Sequence, residues 1–115
     1  MKDSDIARRY LSKIKNCSDD NREFNLSFYE FKRIMLAKYC KYTGVELIQG
    51  EGKSQEANYC TIDRIDNSKG YVTGNVVACC YAYNQFKAVL ENPSNIITFD
   101  MVAKAILVQQ QLMSK

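Results

Sequence analysis

The 115-residue chain contains no histidine, no tryptophan and a single proline, Pro93. Without histidine there is no imidazole to take a proton near neutral pH, to ligate zinc, or to change charge between about pH 5 and 8. A dominant charge is missing too: 16 Lys and Arg stand against 13 Asp and Glu, a formal net charge of +3. That balance permits a nucleic-acid partner and does not demand one. No apolar run reaches the roughly 20 residues of a membrane-spanning helix. The opening MKDSDIARRY lacks the apolar stretch of a secretory signal. These absences lead to the expectation of a cytoplasmic protein with no membrane partner. In a reducing compartment, five cysteines point to burial or metal binding rather than to disulfides.

What is present suits one α+β domain over residues 1–115, with a small core and no internal repeat. Residues 4–16 read as an amphipathic helix. Ile6, Tyr10, Leu11 and Ile14 lie on one face, Arg8, Arg9, Lys13 and Lys15 cover much of the rest, and Ser4 or Asp5 is the cap. A polar break follows from Cys17 to Arg22. A second helix starts at Ser27, which stands three residues before Glu30 as in a capping box. Its stripe is Phe28, Phe31, Ile34, Met35 and Tyr39, which completes a helical part over 1–39. Val45 to Gln49 reads as a short strand, joined through the polar turn 50–57 to the next strand as a long hairpin. Lys53 stands at the tip of that turn. Beyond Pro93, Thr98 caps a last helix over 99–113 within the C-terminal part 96–115. Its apolar positions, Phe99, Val102, Ala103, Ile106, Leu107 and Met113, are expected to pack back on the domain.

The stretch 59–87, YCTIDRIDNSKGYVTGNVVACCYAYNQFK, organises the rest. Cys60 to Ile65 reads as a strand, Asp66 to Gly70 as a turn, and Asn75 to Ala78 as a second strand. From about Cys79 the spacing becomes helical and puts Asn84 and Lys87 on one face. Within residues 40–90 this is a strand–loop–strand–helix core with polar residues at its junctions.

Asp63-Arg64-Ile65-Asp66-Asn67, Lys69-Gly70-Tyr71, Gly74-Asn75-Val76-Val77, Cys79-Cys80 and Asn84-x-x-Lys87 resemble, in that order, the HNH or ββα-metal nuclease family. The resemblance covers about a quarter of the chain and is closest to small phage-type members. It implies a ββα-metal core with a short antiparallel hairpin, flanked by N-terminal helices and a C-terminal helix. It also implies one divalent ion, Mg²⁺ or Mn²⁺, held by Asp63 and Asn84, with Asn75 as the middle asparagine nine residues before the helix ligand. DNA is the implied partner, with Arg64, Lys69, Lys87 and Lys53 as candidate contacts.

The chain departs from that family in two places. Arg64 stands where the family has its water-activating histidine. A guanidinium has no acceptor and does not deprotonate, but it can clamp a phosphate or neutralise transition-state charge. Asp66, Tyr71, Lys69 and a metal-bound hydroxide are the remaining bases, and the sequence ranks none above another. The family's two C-x-x-C knuckles read here as Cys40…Thr43 and Cys80…Tyr83. Threonine and tyrosine are poor zinc ligands, so structural zinc is not expected, and Cys40 and Cys80 are read as structural, buried thiols.

Two functions follow from the resemblance. One is a metal-dependent DNA endonuclease or nickase, with Asp63 and Asn84 as ligands and Arg64, Asn75 and Asp66 in the catalytic group. The other is a non-cutting HNH-like module that binds DNA or a protein, in regulation or in countering host defence. Monomer and dimer both stay open.

Overall fold

The computed structural model describes residues 2–50 and 52–115, so Glu51 of the polar turn and Met1 lie outside the described residues. The elements run α1 (Asp3–Asp19), α2 (Phe28–Met35), β1 (Cys60–Arg64), β2 (Val76–Cys80), α3 (Tyr81–Glu91) and α4 (Phe99–Met113). This is an α+β architecture with a short antiparallel hairpin followed by a helix, a ββα-type arrangement with helices before and after it. The chain divides into two compact units, Met1–Asn84 and Gln85–Lys115.

The first unit holds the core. Cys60 and Ile62 of β1 join Ala78, Cys79 and Cys80 of β2 with Ile6, Leu26, Phe31, Met35 and Leu47 in one buried cluster. Register in the hairpin runs from Cys60↔Cys80 to Arg64↔Val76. The Tyr10 ring packs edge-on to Phe24 and Phe28 at 5.6 and 5.5 Å. Its hydroxyl donates to the Leu26 carbonyl at 2.7 Å, so α1 ties down the segment leading into α2.

That segment then meets the loop between the strands. Tyr71 N–H donates to Glu23 O, and Asn25 N–H donates to Tyr71 O. Gly70 is required at this contact: a Cβ there would clash with the Glu23 carbonyl oxygen, which is backbone and cannot yield.

Several local expectations are corrected. The first helix extends to Asp19 and buries Cys17, so the polar break starts later than the composition suggests. Its N-cap is Lys2, with no side-chain capping bond from Ser4 or Asp5. Arg9 does not join a solvated basic face: it donates to Cys60 O at 3.2 Å and lies over the Tyr59 ring. Ser27 caps α2 by accepting from Glu30 N–H, but Glu30 completes no reciprocal box, because its carboxylate accepts from Thr73 Oγ1. Tyr39 lies beyond the helix and is 62% exposed.

Residues 45–49 form isolated bridges rather than a strand. Glu46 pairs with Tyr39 antiparallel and Ile48 with Tyr59 in parallel, so the expected long hairpin does not form. Cys79 and Cys80 stay in β2, opposite Thr61 and Cys60, and the helix begins at Tyr81. A short apolar run fits strand and buried helix alike, and here the ladder keeps it.

In the second unit, α3 continues to Glu91 and Asn95 clamps the connection, donating from Nδ2 to the carbonyls of Val89 and Ile97 at 3.0 Å each. Thr98 Oγ1 caps α4 by accepting from Met101 N–H. None of the residues of α4 is buried.

Candidate functional site

Adjacent residues of a strand point to opposite faces, and this separates the two side chains at the centre of the motif. Asp63 faces Tyr42 and Arg64 faces Tyr71. On the first face, Tyr42 Oη donates to Asp63 Oδ2 at 2.8 Å. The Tyr42 ring stacks on Tyr83, centroids 4.9 Å apart. Beneath this pair Asp63 is 6% exposed. Burial, and then the Asp63 carboxylate that accepts its proton, push the Tyr42 hydroxyl well above the usual phenol range. Asn84 on the first turn of α3 donates to Thr61 Oγ1 at 3.0 Å, and Thr61 in turn donates to Cys79 O. Thr61 and Asp63 share a strand face, so Asn84 is held on the side of Asp63.

Asn75 is buried and braces the loop 66–70 with three bonds. Its Oδ1 accepts from Asp66 N–H, and its Nδ2 donates to Asp66 O and Gly70 O. The strand ends before Asp66, which therefore does not continue the face of Arg64 as an extended strand would place it. Asp66 Oδ1 accepts instead from Ser68 N–H and Ser68 Oγ, fixing the turn.

Arg64 donates from one guanidinium nitrogen to the carbonyls of Asn67 and Lys69, at 2.9 and 3.0 Å, while its plane lies over Tyr71. Lys13 stands over the same ring, 4.8 Å from its centroid. Beside them opens a polar cleft of about 440 Å³, with Arg22, Arg64 and Lys69 as its cations and Asp20 and Glu23 at its acidic edge. The structure thus gathers Lys13, Arg22, Arg64 and Lys69 around one aromatic ring and one cleft.

The other candidates lie elsewhere. Lys53 sits on the exposed turn after Gly50. Lys87 is buried and paired with Glu91 at 3.0 Å. Cys40 and Cys80 are buried, with Cys80 Sγ 3.8 Å from Thr43 Oγ1. Burial raises the Cys40 thiol, but the Thr43 hydroxyl and the backbone N–H groups of Cys80, Thr43 and Tyr42 outweigh it and bring the thiol down to about 7.

A hard divalent ion keeps several waters and reaches a substrate phosphate through open positions. Asp63 offers such an ion a buried carboxylate with one oxygen already held by Tyr42, and Asn84 is held on the same side by Thr61. Among the described residues no group of three or more Cys, Asp or Glu stands together to hold a metal.

Sequence reasoning missed Tyr42, Thr61, Arg22 and the pairing of Lys13 with Tyr71. Tyr42 carried only a weak signal, because Lys41 and Thr43 beside it in the shortened knuckle can donate to a carboxylate as well. Arg22 and Lys13 carried none, since tertiary packing alone brings them to the loop.

The chain is therefore a small α+β domain with a ββα-type arrangement. No protein-family model matches it, and no solved structure does. It is similar to a phage protein: it is 37% identical over 86 residues, or 72% of this chain, to an "uncharacterized 29.0 kDa protein in dda-modA intergenic region" of Enterobacteria phage T4. The match covers 32% of that protein, so this chain spans about a third of the length of its curated relative. Among the described residues no helix is long and apolar enough to cross a membrane.

Proposed function

We propose that this is an HNH-like, ββα-type domain that binds DNA along its Arg64 face and does not cut it at Asp63. One contrast carries the reading. The side chain on which HNH metal chemistry depends is closed under Tyr42, whereas the neighbouring residue opens onto a cleft lined by Arg22, Arg64 and Lys69. Cations gathered at one polar cleft suit a phosphate backbone. The bonds from Arg64 to two loop carbonyls hold Lys69 and Asn67 in place at the cleft, and Asn75 braces the same loop from within.

A second reading, a metal-dependent DNA endonuclease or nickase using Mg²⁺ or Mn²⁺, is favoured by one observation. Thr61 takes an N–H of Asn84, which leaves the amide oxygen as the group to meet a hard cation on the side of Asp63. That reading requires the Tyr42 bond to open.

One experiment separates the two. Supercoiled plasmid is incubated with the protein in Mg²⁺ and in Mn²⁺, beside Asp63→Ala and Asn84→Ala, while binding to the same DNA is followed. The expected result is binding by all three without metal-dependent nicking. Nicking by the intact chain that disappears in both variants would replace the first reading with the second, and loss of all DNA binding would remove both.

A further inference from the structure

The hairpin leaves one side of β2 partly open. In an antiparallel pair, residues whose N–H and C=O face the partner strand alternate with residues whose groups face away. Ile65 N–H donates to Asn75 O and Tyr81 N–H to Tyr59 O, one beyond each end of the ladder. Every second pair between them is bonded, which turns the N–H and C=O of Val76, Ala78 and Cys80 to the outer edge. Lys41 N–H donates to Ala78 O at 2.9 Å on that edge. Among the described residues no bond takes up Ala78 N–H or either backbone group of Val76.

A groove of about 260 Å³ runs along this edge. Its walls include both Val77 and Ala78, which point to opposite faces of the sheet, so it opens at the edge and not on a face. Ile34 and Ala37 beside α2 extend its apolar lining, and Arg33 and Lys41 line it as cations. Both cations are exposed, and neither has an ion pair among the described residues.

We propose that this edge docks an extended, acidic segment of a partner protein, which adds a strand beside Val76 and Ala78 and sets its carboxylates against Arg33 and Lys41. Three features select that occupant. Unused N–H and C=O groups along a strand are matched by an extended backbone. The groove falls below the ~300–1,000 Å³ of a cleft that encloses a small ligand, yet it has room for apolar side chains of a strand laid along it. Its two cations favour a chain that carries carboxylates. They oppose a second copy of this chain, whose edge would bring the same two cations. The groove shares no lining residue with the cleft of Arg22, Arg64 and Lys69, so the two surfaces stand or fall separately.

Immobilised octapeptides test it. One pool alternates Asp or Glu with Val, Leu or Phe, the other has Lys in the acidic places, and the full chain is offered to both. The acidic pool is expected to retain the protein and the lysine pool to let it pass. With the tightest acidic peptide at saturation, amide hydrogen exchange at Val76 and Ala78 is expected to slow by about tenfold or more. The double variant Arg33→Glu, Lys41→Glu is expected to bind that peptide about tenfold more weakly or worse, with circular dichroism in the aromatic region showing that the fold survives. No retention by the acidic pool, equal retention by the lysine pool, unchanged exchange at Val76 and Ala78, or binding indifferent to the charge reversal would each overturn the proposal. Loss of DNA binding in the double variant, with no peptide retained by the intact chain, would overturn it in favour of a phosphate backbone.

Discussion

Asn75 and Tyr42 each commit their polar atoms to a neighbour in the fold, and what they hold differs. Asn75 satisfies one backbone N–H and two carbonyls in the loop 66–70. Asn75→Ala strips those partners at a buried position, and the expected loss is about 2–4 kcal/mol in a urea unfolding experiment. Tyr42→Phe removes a bond to the buried Asp63 carboxylate, and a hydrogen bond to a charged group is worth about 1.5–3 kcal/mol. The same variant also probes function. If Tyr42 merely blocked a working metal site, Tyr42→Phe would gain plasmid nicking; the account expects a less stable protein with none.

At this scale the sequence was legible where a residue acts on its own backbone and opaque where it acts across the fold. Ser27, Thr98 and the turn of Asp66 to Gly70 were readable because a cap or turn needs a few neighbours. The separation of Asp63 from Arg64 follows from the alternation of a strand, but what each meets, Tyr42 or Tyr71, depends on how the segments on either side fold over the strand.

At the scale of the elements, the hairpin and the knuckle before it carry thiols that respond to pH in opposite ways. The Cys40 thiol lies at about 7, below its ordinary value of 9.0, so its contribution to stability is complete above about pH 9 and is lost as pH falls through 7. Burial raises Cys60 to about 11 and raises Cys79 as well, so their contribution is complete below about pH 9 and is lost as pH rises towards 11 and beyond. With no histidine to titrate between them, the urea midpoint under reducing conditions is expected to rise from pH 7 to about 9 and then fall. Cys40→Ala should flatten the rise and leave the fall.

The elements also mark the limits of pattern reading. The bounds of α4 were readable from Thr98 and the spacing of its apolar residues. Its surroundings were not, because periodicity reports which residues share a face and not whether anything covers it. The second face of α4, Met101, Val108 and Leu112, escaped the same reading by lying opposite the first stripe. The boundary between β2 and α3 was misplaced by two residues, since Cys79 and Cys80 suit either element until Thr61 and Cys60 pair with them.

For the whole molecule, a net charge of +3 says little until its distribution is known. The fold collects Lys13, Arg22, Arg64 and Lys69 at one end of the hairpin, while Lys87 is buried and paired with Glu91. Binding by such a patch is electrostatic and should fall steeply with salt. The most direct test is the salt dependence of binding to a fluorescent DNA duplex by the intact chain and by the double variant Arg22→Ala, Lys69→Ala, which spares the Arg64 bonds that hold the loop. Each phosphate contact adds about 0.9 to the slope of log affinity against log salt. The account predicts that the double variant binds more weakly and that its slope is shallower by roughly 2. An unchanged affinity and slope would contradict it and remove the Arg64 face as the DNA-binding surface.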